Sequence, residues 1–259
     1  MRISYLLKCV LLTAKSLLRN RIILLLLLII PAIFFIVTRY TTSNMPVWCK
    51  LATVSEETVV TVSQRELAFI FIALAVAGLL SSFLSLTLIH SQINEHRRLI
   101  ICGYRSGEII MAKFLLLMII ILSISVYIAF EISFFFKPRN MFGVTLGFLL
   151  VGFVYGSYGM LIGTIFRGEL EGILFIVLLA NLDIGWLQNP IFYIAAQNKA
   201  FIRSLPSFFP SQISLVSAFS EYSITRAVCR SIVYGLIFLI IALLIYSLRM
   251  RVRKRMNID

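Results

Sequence analysis

The chain has 259 residues, 60% of them hydrophobic and 14% charged, with a mean hydropathy of +0.99 and a formal net charge of +13. Soluble domains run at about 45–50% apolar and about 25% charged, so this chain lacks the polar surface that water requires and reads as an integral membrane protein. Six spans of about 20 residues leave no room for a soluble domain of ~50 residues or more, and the unbroken aliphatic run at residues 22–30 excludes a transmembrane β-barrel, whose strands alternate.

Residues 1–21 do not follow the order of a signal peptide, with its apolar core and small-residue cleavage site. Arg2, Lys8, Lys15, Arg19 and Arg21 recur among Leu6, Leu7, Val10, Leu11, Leu17 and Leu18 at helical spacing. That pattern predicts an amphipathic helix lying on the inner membrane surface. The first span is expected at 22–38, with Pro31 as a kink. Residues 39–66 are polar, with Pro46, Glu56, Glu57 and Arg65, and are expected as an outer loop.

The second span is expected at 67–90, followed by an internal segment, 91–107, too charged to cross. The third span is placed at 109–136, an outer turn at 137–140 and the fourth span at 141–166. Arg167, Gly168, Glu169 and Glu171 suggest an internal turn before a fifth span at 172–188. Residues 189–225 are moderately apolar but broken by Pro190, Pro206 and Pro210. They are expected to form two short re-entrant helices in the outer leaflet, buried against protein so that their backbone groups stay bonded. The sixth span is expected at 228–248, before a tail, 249–259, with five basic residues. The expected fold is therefore all-α, a single transmembrane domain over 1–259.

Counting Lys and Arg on this topology gives 15 on the side of the termini and 9 on the other. The positive-inside rule then puts both termini in the cytoplasm. The same rule accounts for the net charge through cytoplasmic loops and lipid headgroups rather than nucleic acid. Cys9, Cys49, Cys102 and Cys229 form no C-x-x-C pair; only Cys49 and Cys229 fall on one outer side, and they are expected to be unbonded. His90 and His96 have no third ligand nearby, which argues against a metal site. Phosphate-loop, H-E-x-x-H and G-x-S-x-G motifs are all missing. The chain is expected to be no ATPase and no enzyme, and to carry no cofactor of its own; the alternative, an intramembrane hydrolase, would need a nucleophile–base pair that the sequence does not assemble.

Two acids fall inside expected spans, Glu131 and Asp183. Ionisable groups there are costly and mark candidate functional sites. Both are expected towards the outer side, near Arg226 and Arg230. Three roles stay open for them: a structural ion pair, an interfacial side chain reaching headgroups, or contact with a substrate along a pathway. The fourth span carries Gly143, Gly147, Gly152, Gly156, Gly159 and Gly163, a small-residue face suited to close helix packing. Tyr155 and Tyr158 lie among them as further candidate pathway residues.

The internal segment is the most informative. Residues 99–113 read LIICGYRSGEIIMAK, a short charged helix that turns at Gly103 and restarts as the third span. The segment resembles the loop of the ABC-2 type permeases of ATP-binding-cassette transporters, which often reads L-L-L-T-P-x-S-x-x-E-I-L-L-G-K. It matches at Leu99, Glu108 and Lys113, with Gly103 where Pro is usual and Ala112 where Gly is usual. The six spans, the N-terminal interfacial helix and the short helices before the last span are also similar to that family.

The resemblance implies that 91–107 is a coupling loop docking on a separate ATPase subunit, which would bind the ATP and Mg. Glu95, Arg97, Arg98 and Arg105 would make charged contacts there, and Glu108 would sit near the following helix start, where the macrodipole favours an acid. A second permease chain, identical or related, would complete the pathway among the membrane lipids. The implied function is export of an amphipathic or hydrophobic substrate (a drug, an antimicrobial peptide or a lipid-like molecule) across a bacterial cytoplasmic membrane. A polysaccharide or teichoic-acid exporter is the nearer alternative; its pathway would carry aromatic and polar side chains on the first and fifth spans, and the first is almost purely aliphatic. A non-transporting sensor or assembly scaffold is the alternative from another class.

Overall fold

A computed structural model of the chain describes residues 3–51, 58–90, 106–166, 168–189, 192–193 and 196–256. Helix α1, Ile3–Arg19, runs into α2, Arg21–Thr41, through Asn20. The inward face of α1 buries Cys9 and Thr13, with Cys9 packed on Ile109 and Ala112. Leu7, Leu11, Leu12 and Leu18 stay exposed. Pro31 lies inside α2 and has no N–H to offer the carbonyl of Leu27, four residues earlier. The carbonyl of Leu28, next in the chain, has the hydroxyl of Tyr127 at 3.0 Å.

The expected outer loop is not plain loop. It contains an antiparallel hairpin of β1, Pro46–Lys50, and β2, Val59–Ser63, with Cys49 opposite Val60 and Trp48 opposite Thr61. The β-branched run Val59, Val60, Thr61, Val62 fits a pleated, half-buried surface. Strand alternation turns Cys49 and Val62 into the core and leaves Trp48 65% exposed.

Then follow α3, Gln64–His90; α4, Ser106–Ser133; α5, Met141–Ile165; and α6, Glu169–Ala180, which continues as a π-helical turn, Asn181–Leu187. Two short helices come next, α7, Lys199–Arg203, and α8, Phe208–Phe219, before α9, Thr225–Met256. Among the described residues, six helices are long and apolar enough to cross a membrane: Arg21–Thr41, Gln64–His90, Ile109–Ser133, Met141–Ile165, Glu169–Leu187 and Thr225–Leu248. The chain is a mainly helical, multi-pass membrane protein.

Several boundaries differ from expectation for local reasons. The third span stops at Ser133 rather than 136, because the Phe135 N–H bonds back to the Ile132 carbonyl at 2.8 Å in a closing turn. The fifth begins at Glu169, not 172: Glu169 and Glu171 occupy its first turn, where the helix dipole favours acids. The second helix starts at Gln64, directly after β2, and the last starts at Thr225 and runs on through the basic tail to Met256.

Helix α5 is the centre of the bundle; 78% of its apolar stretch is buried, against 17% for α2. Its glycines explain the closeness of its neighbours. A Cβ on Gly159 would run into the backbone of Ser82 on α3, and one on Gly147 would meet the Ser214 backbone nitrogen of α8 at 2.9 Å. Only glycine permits that approach. Helix α8 is buried from Phe208 to Ala218, so its terminal carbonyls need partners. The turn before α5 supplies them: the N–H groups of Arg139 and Asn140 donate to the carbonyls of Ala218 and Ser217 at 3.1 and 3.0 Å. The hairpin, this turn, α7, α8 and the start of α9 thus share one end of the bundle, here the hairpin end. His90 and Ser106 lie at the other.

Candidate functional site

Asp183 is 5% exposed and sits in the π-turn at the end of the fifth span. A π-turn repeats at i→i+5, so it brings Gln188 back over Asp183, and the Gln188 amide donates to Oδ1 at 3.2 Å. The Ser207 hydroxyl also donates to Oδ1, at 2.5 Å, and the Ser207 backbone N–H to Oδ2, at 3.1 Å. Tyr155, from the middle of α5, donates its hydroxyl to Oδ2 at 2.6 Å.

Each carboxylate oxygen therefore accepts two hydrogen bonds, which fills the acceptor capacity of the group. A buried charge is tolerable only when paired or fully bonded, and here hydrogen bonds do that without a cation. Among the described residues neither Asp183 nor Glu131 forms an ion pair; Arg139 and Glu221 do, at 3.8 Å. Neither acid is ion-paired with Arg226 or Arg230, the cations expected near them. The sequence offered arginine as the obvious counter-charge, but the nearest donors come from neutral side chains and backbone. Arg226 and Arg230 are exposed instead.

The arrangement holds three elements together: the π-turn, the centre of α5 and the start of α8. A ligand would reach the carboxylate only by displacing one of four donors. Tyr158 extends the site, its ring 6.1 Å from Tyr155 and 5.6 Å from Phe238 of α9. The Tyr158 hydroxyl is buried with no hydrogen-bond partner among the described residues.

Glu131 belongs elsewhere. Tyr127, one turn before it on α4, donates to its Oε1 at 2.6 Å, and the same hydroxyl lies 3.0 Å from the Leu28 carbonyl of α2. The structure joins Tyr155 with Asp183 but gives Glu131 a separate place at the contact of α4 with α2. The other Glu131 oxygen, Oε2, is buried without a partner among the described residues.

At the opposite end, Lys113 is buried and its Nζ donates to the Leu88 carbonyl in the last turn of α3. A lysine on terminal carbonyls caps a helix. Glu95, Arg97, Arg98 and Arg105 lie outside the described residues, and Glu108 is placed in the first turn of α4 by its backbone alone. No group of His, Cys, Asp and Glu that would hold a metal occurs among the described residues.

Sequence reasoning missed Ser207 and Gln188. Gln188 follows Asp183 by five residues, a spacing that means nothing in an α-helix, and Ser207 comes 24 residues later in a proline-broken segment. A buried acid without a nearby cation does call for donors, and that was the available signal. No protein-family model matches the chain, and no curated protein matches it.

Proposed function

We propose that this chain is the membrane-spanning permease subunit of an ATP-binding-cassette exporter, similar to the ABC-2 type permeases. A separate ATPase subunit would supply the energy, and a second permease chain, identical or related, would pair with this one. In this reading the protein sits in a bacterial cytoplasmic membrane with both termini inside, as the 15-to-9 split of basic residues favours. The hairpin end then faces outward, and α7 and α8 form the re-entrant segment of the outer leaflet. Helix α1 lies at the inner surface.

The observation that carries the reading is the way α3 and α4 are joined. Lys113, the last matched residue of the loop motif, caps α3 through the Leu88 carbonyl, so the two helices on either side of residues 91–105 are tied at their ends. A loop anchored in this way passes a push from a docked subunit directly into α3 and α4, and α3 packs on the central α5 through Gly159. A sensor or scaffold has no need of a charged segment between two helices tied in this way.

The substrate in this reading is amphipathic or hydrophobic. Helix α2 presents an aliphatic face of Ile22, Leu25, Leu26, Ile29 and Ile33, which offers little to a glycan. The experiment is co-purification. An ATPase subunit with a phosphate-binding loop should be retained from the native membrane in a stable complex with the tagged protein in mild detergent. Absence of any such ATPase from the purified protein, under conditions where the permease stays folded, would remove the reading.

A further inference from the structure

With Asp183 satisfied by neutral donors, the arginines at the hairpin end are left without the role expected of them. Arg226 and Arg230 are four residues apart, on one face of the first two turns of α9. The Arg230 guanidinium lies over the Phe209 ring of α8, 5.1 Å from its centroid. Phe209 is also 6.0 Å from the ring of Tyr234, whose hydroxyl donates to the Ser204 carbonyl at 2.9 Å. Beside Ser204, the Arg203 Nε donates to the Tyr193 hydroxyl at 3.1 Å. One connected set of contacts therefore places Arg203 and Arg230 at the same end of the bundle, on α7 and α9.

The charge of this region is one-sided. Between residues 189 and 234 the sequence has Lys199, Arg203, Arg226 and Arg230 against Glu221 alone, and Glu221 lies 3.8 Å from Arg139. The first turn of α9 contains no acid, although the helix dipole makes that end unfavourable for cations. Depth supplies the other constraint. Arg226 and Arg230 are the second and sixth residues of the span Thr225–Leu248. At 1.5 Å per residue they fall within roughly the first 10 Å of it, the layer where headgroups lie and where Tyr side chains collect. Tyr222 is 49% exposed there.

We propose that Arg203, Arg226 and Arg230 form a binding site for the phosphate of an anionic membrane lipid, in the headgroup layer at the hairpin end. The guanidinium fork matches phosphate oxygens in a way an ammonium does not. The contact with Phe209 restricts Arg230 without consuming one of its N–H donors. Bound lipid would bridge α7 and α9 and neutralise the excess charge. The site needs only that the protein be in a membrane, and stands or falls independently of export.

The test uses the full-length protein in a neutral detergent, with thermal unfolding as readout. Phosphatidylglycerol should raise the unfolding midpoint in a saturable way, because a ligand that binds the folded state stabilises it. Phosphatidylcholine and inorganic phosphate at the same concentrations should not. The variant Arg226→Gln/Arg230→Gln should unfold at the same midpoint as the parent without lipid and bind phosphatidylglycerol about tenfold more weakly, the factor expected from losing charge-assisted hydrogen bonds. Phe209→Leu, which frees Arg230, should weaken lipid binding by a smaller factor and serves as the test if the double variant does not fold. Unchanged lipid affinity in whichever of these variants folds would overturn the proposal. So would an equal effect of inorganic phosphate, which would make this a site for free anions.

Discussion

Ser207 grips Asp183 twice, with its hydroxyl on Oδ1 at 2.5 Å and its backbone N–H on Oδ2 at 3.1 Å. The start of α8 is thereby fastened to the π-turn of the fifth span, and Tyr155 fastens the same carboxylate to the central helix. Asp183→Asn exchanges two acceptor sites for two N–H groups that face existing donors. It should cost about 2–5 kcal/mol, the range for truncating a buried bonded charge. Ser207→Ala and Tyr155→Phe should each cost about 1.5–3 kcal/mol. Thermal unfolding in detergent reads these differences. In the proposed exporter complex, substrate-stimulated ATP hydrolysis per folded molecule should be retained in Asp183→Asn; normal stability with a weakened substrate response would place Asp183 on the pathway instead.

The close approach of α3 and α5 is tested at Gly159. A Cβ there collides with the Ser82 backbone, which has no freedom to rotate away. Gly159→Ala should lower stability by about 1–3 kcal/mol, the usual penalty of overpacking. Gly107→Ala, where a Cβ meets nothing within 4 Å, should be close to neutral. Equal midpoints for the two variants would show that the helices are not in backbone contact.

Topology is readable by thiol labelling, and the native cysteines set the background. Cys49 is fully buried, and burial pushes its thiol up to about 12. At pH 8 only ~0.01% would be thiolate, the reactive form, and raising the pH to 9 leaves the fraction near ~0.1%. Cys49 should therefore stay unlabelled by impermeant maleimide over that range, whereas exposed Cys229 must be changed to Ser first. In that background Ser43→Cys and Asn198→Cys should label from outside intact cells, and Asn257→Cys should not. Labelling of Asn257→Cys from outside would invert the orientation.

Much of the fold was legible because spans are written locally. A run such as residues 22–30 has no other stable place, and Glu169 with Glu171 marks a helix start once the dipole is considered. The hairpin also left a trace in the β-branched run from Val59 to Val62, but loops with Glu56 and Glu57 read as polar first. The site was half legible. An acid inside a span announced Asp183, yet its donors depend on a π-turn that brings Gln188 under it and on a fold that returns Ser207 after 24 residues. Arg230 shows the same limit: its ring partner, Phe209, lies on a different helix and carries no charge to suggest the pairing.

The most direct test of the proposed export function is charge reversal at the loop between α3 and α4. Arg98→Glu/Arg105→Glu reverses two charges in the segment proposed to dock the ATPase; a change of that kind away from a packed core alters folding stability by less than ~0.5 kcal/mol, so the account predicts a variant that inserts at normal levels. The account predicts that the proposed ATPase subunit no longer co-purifies with it, or no longer responds to substrate. Intact assembly together with intact substrate-stimulated ATP hydrolysis in the double variant would contradict it.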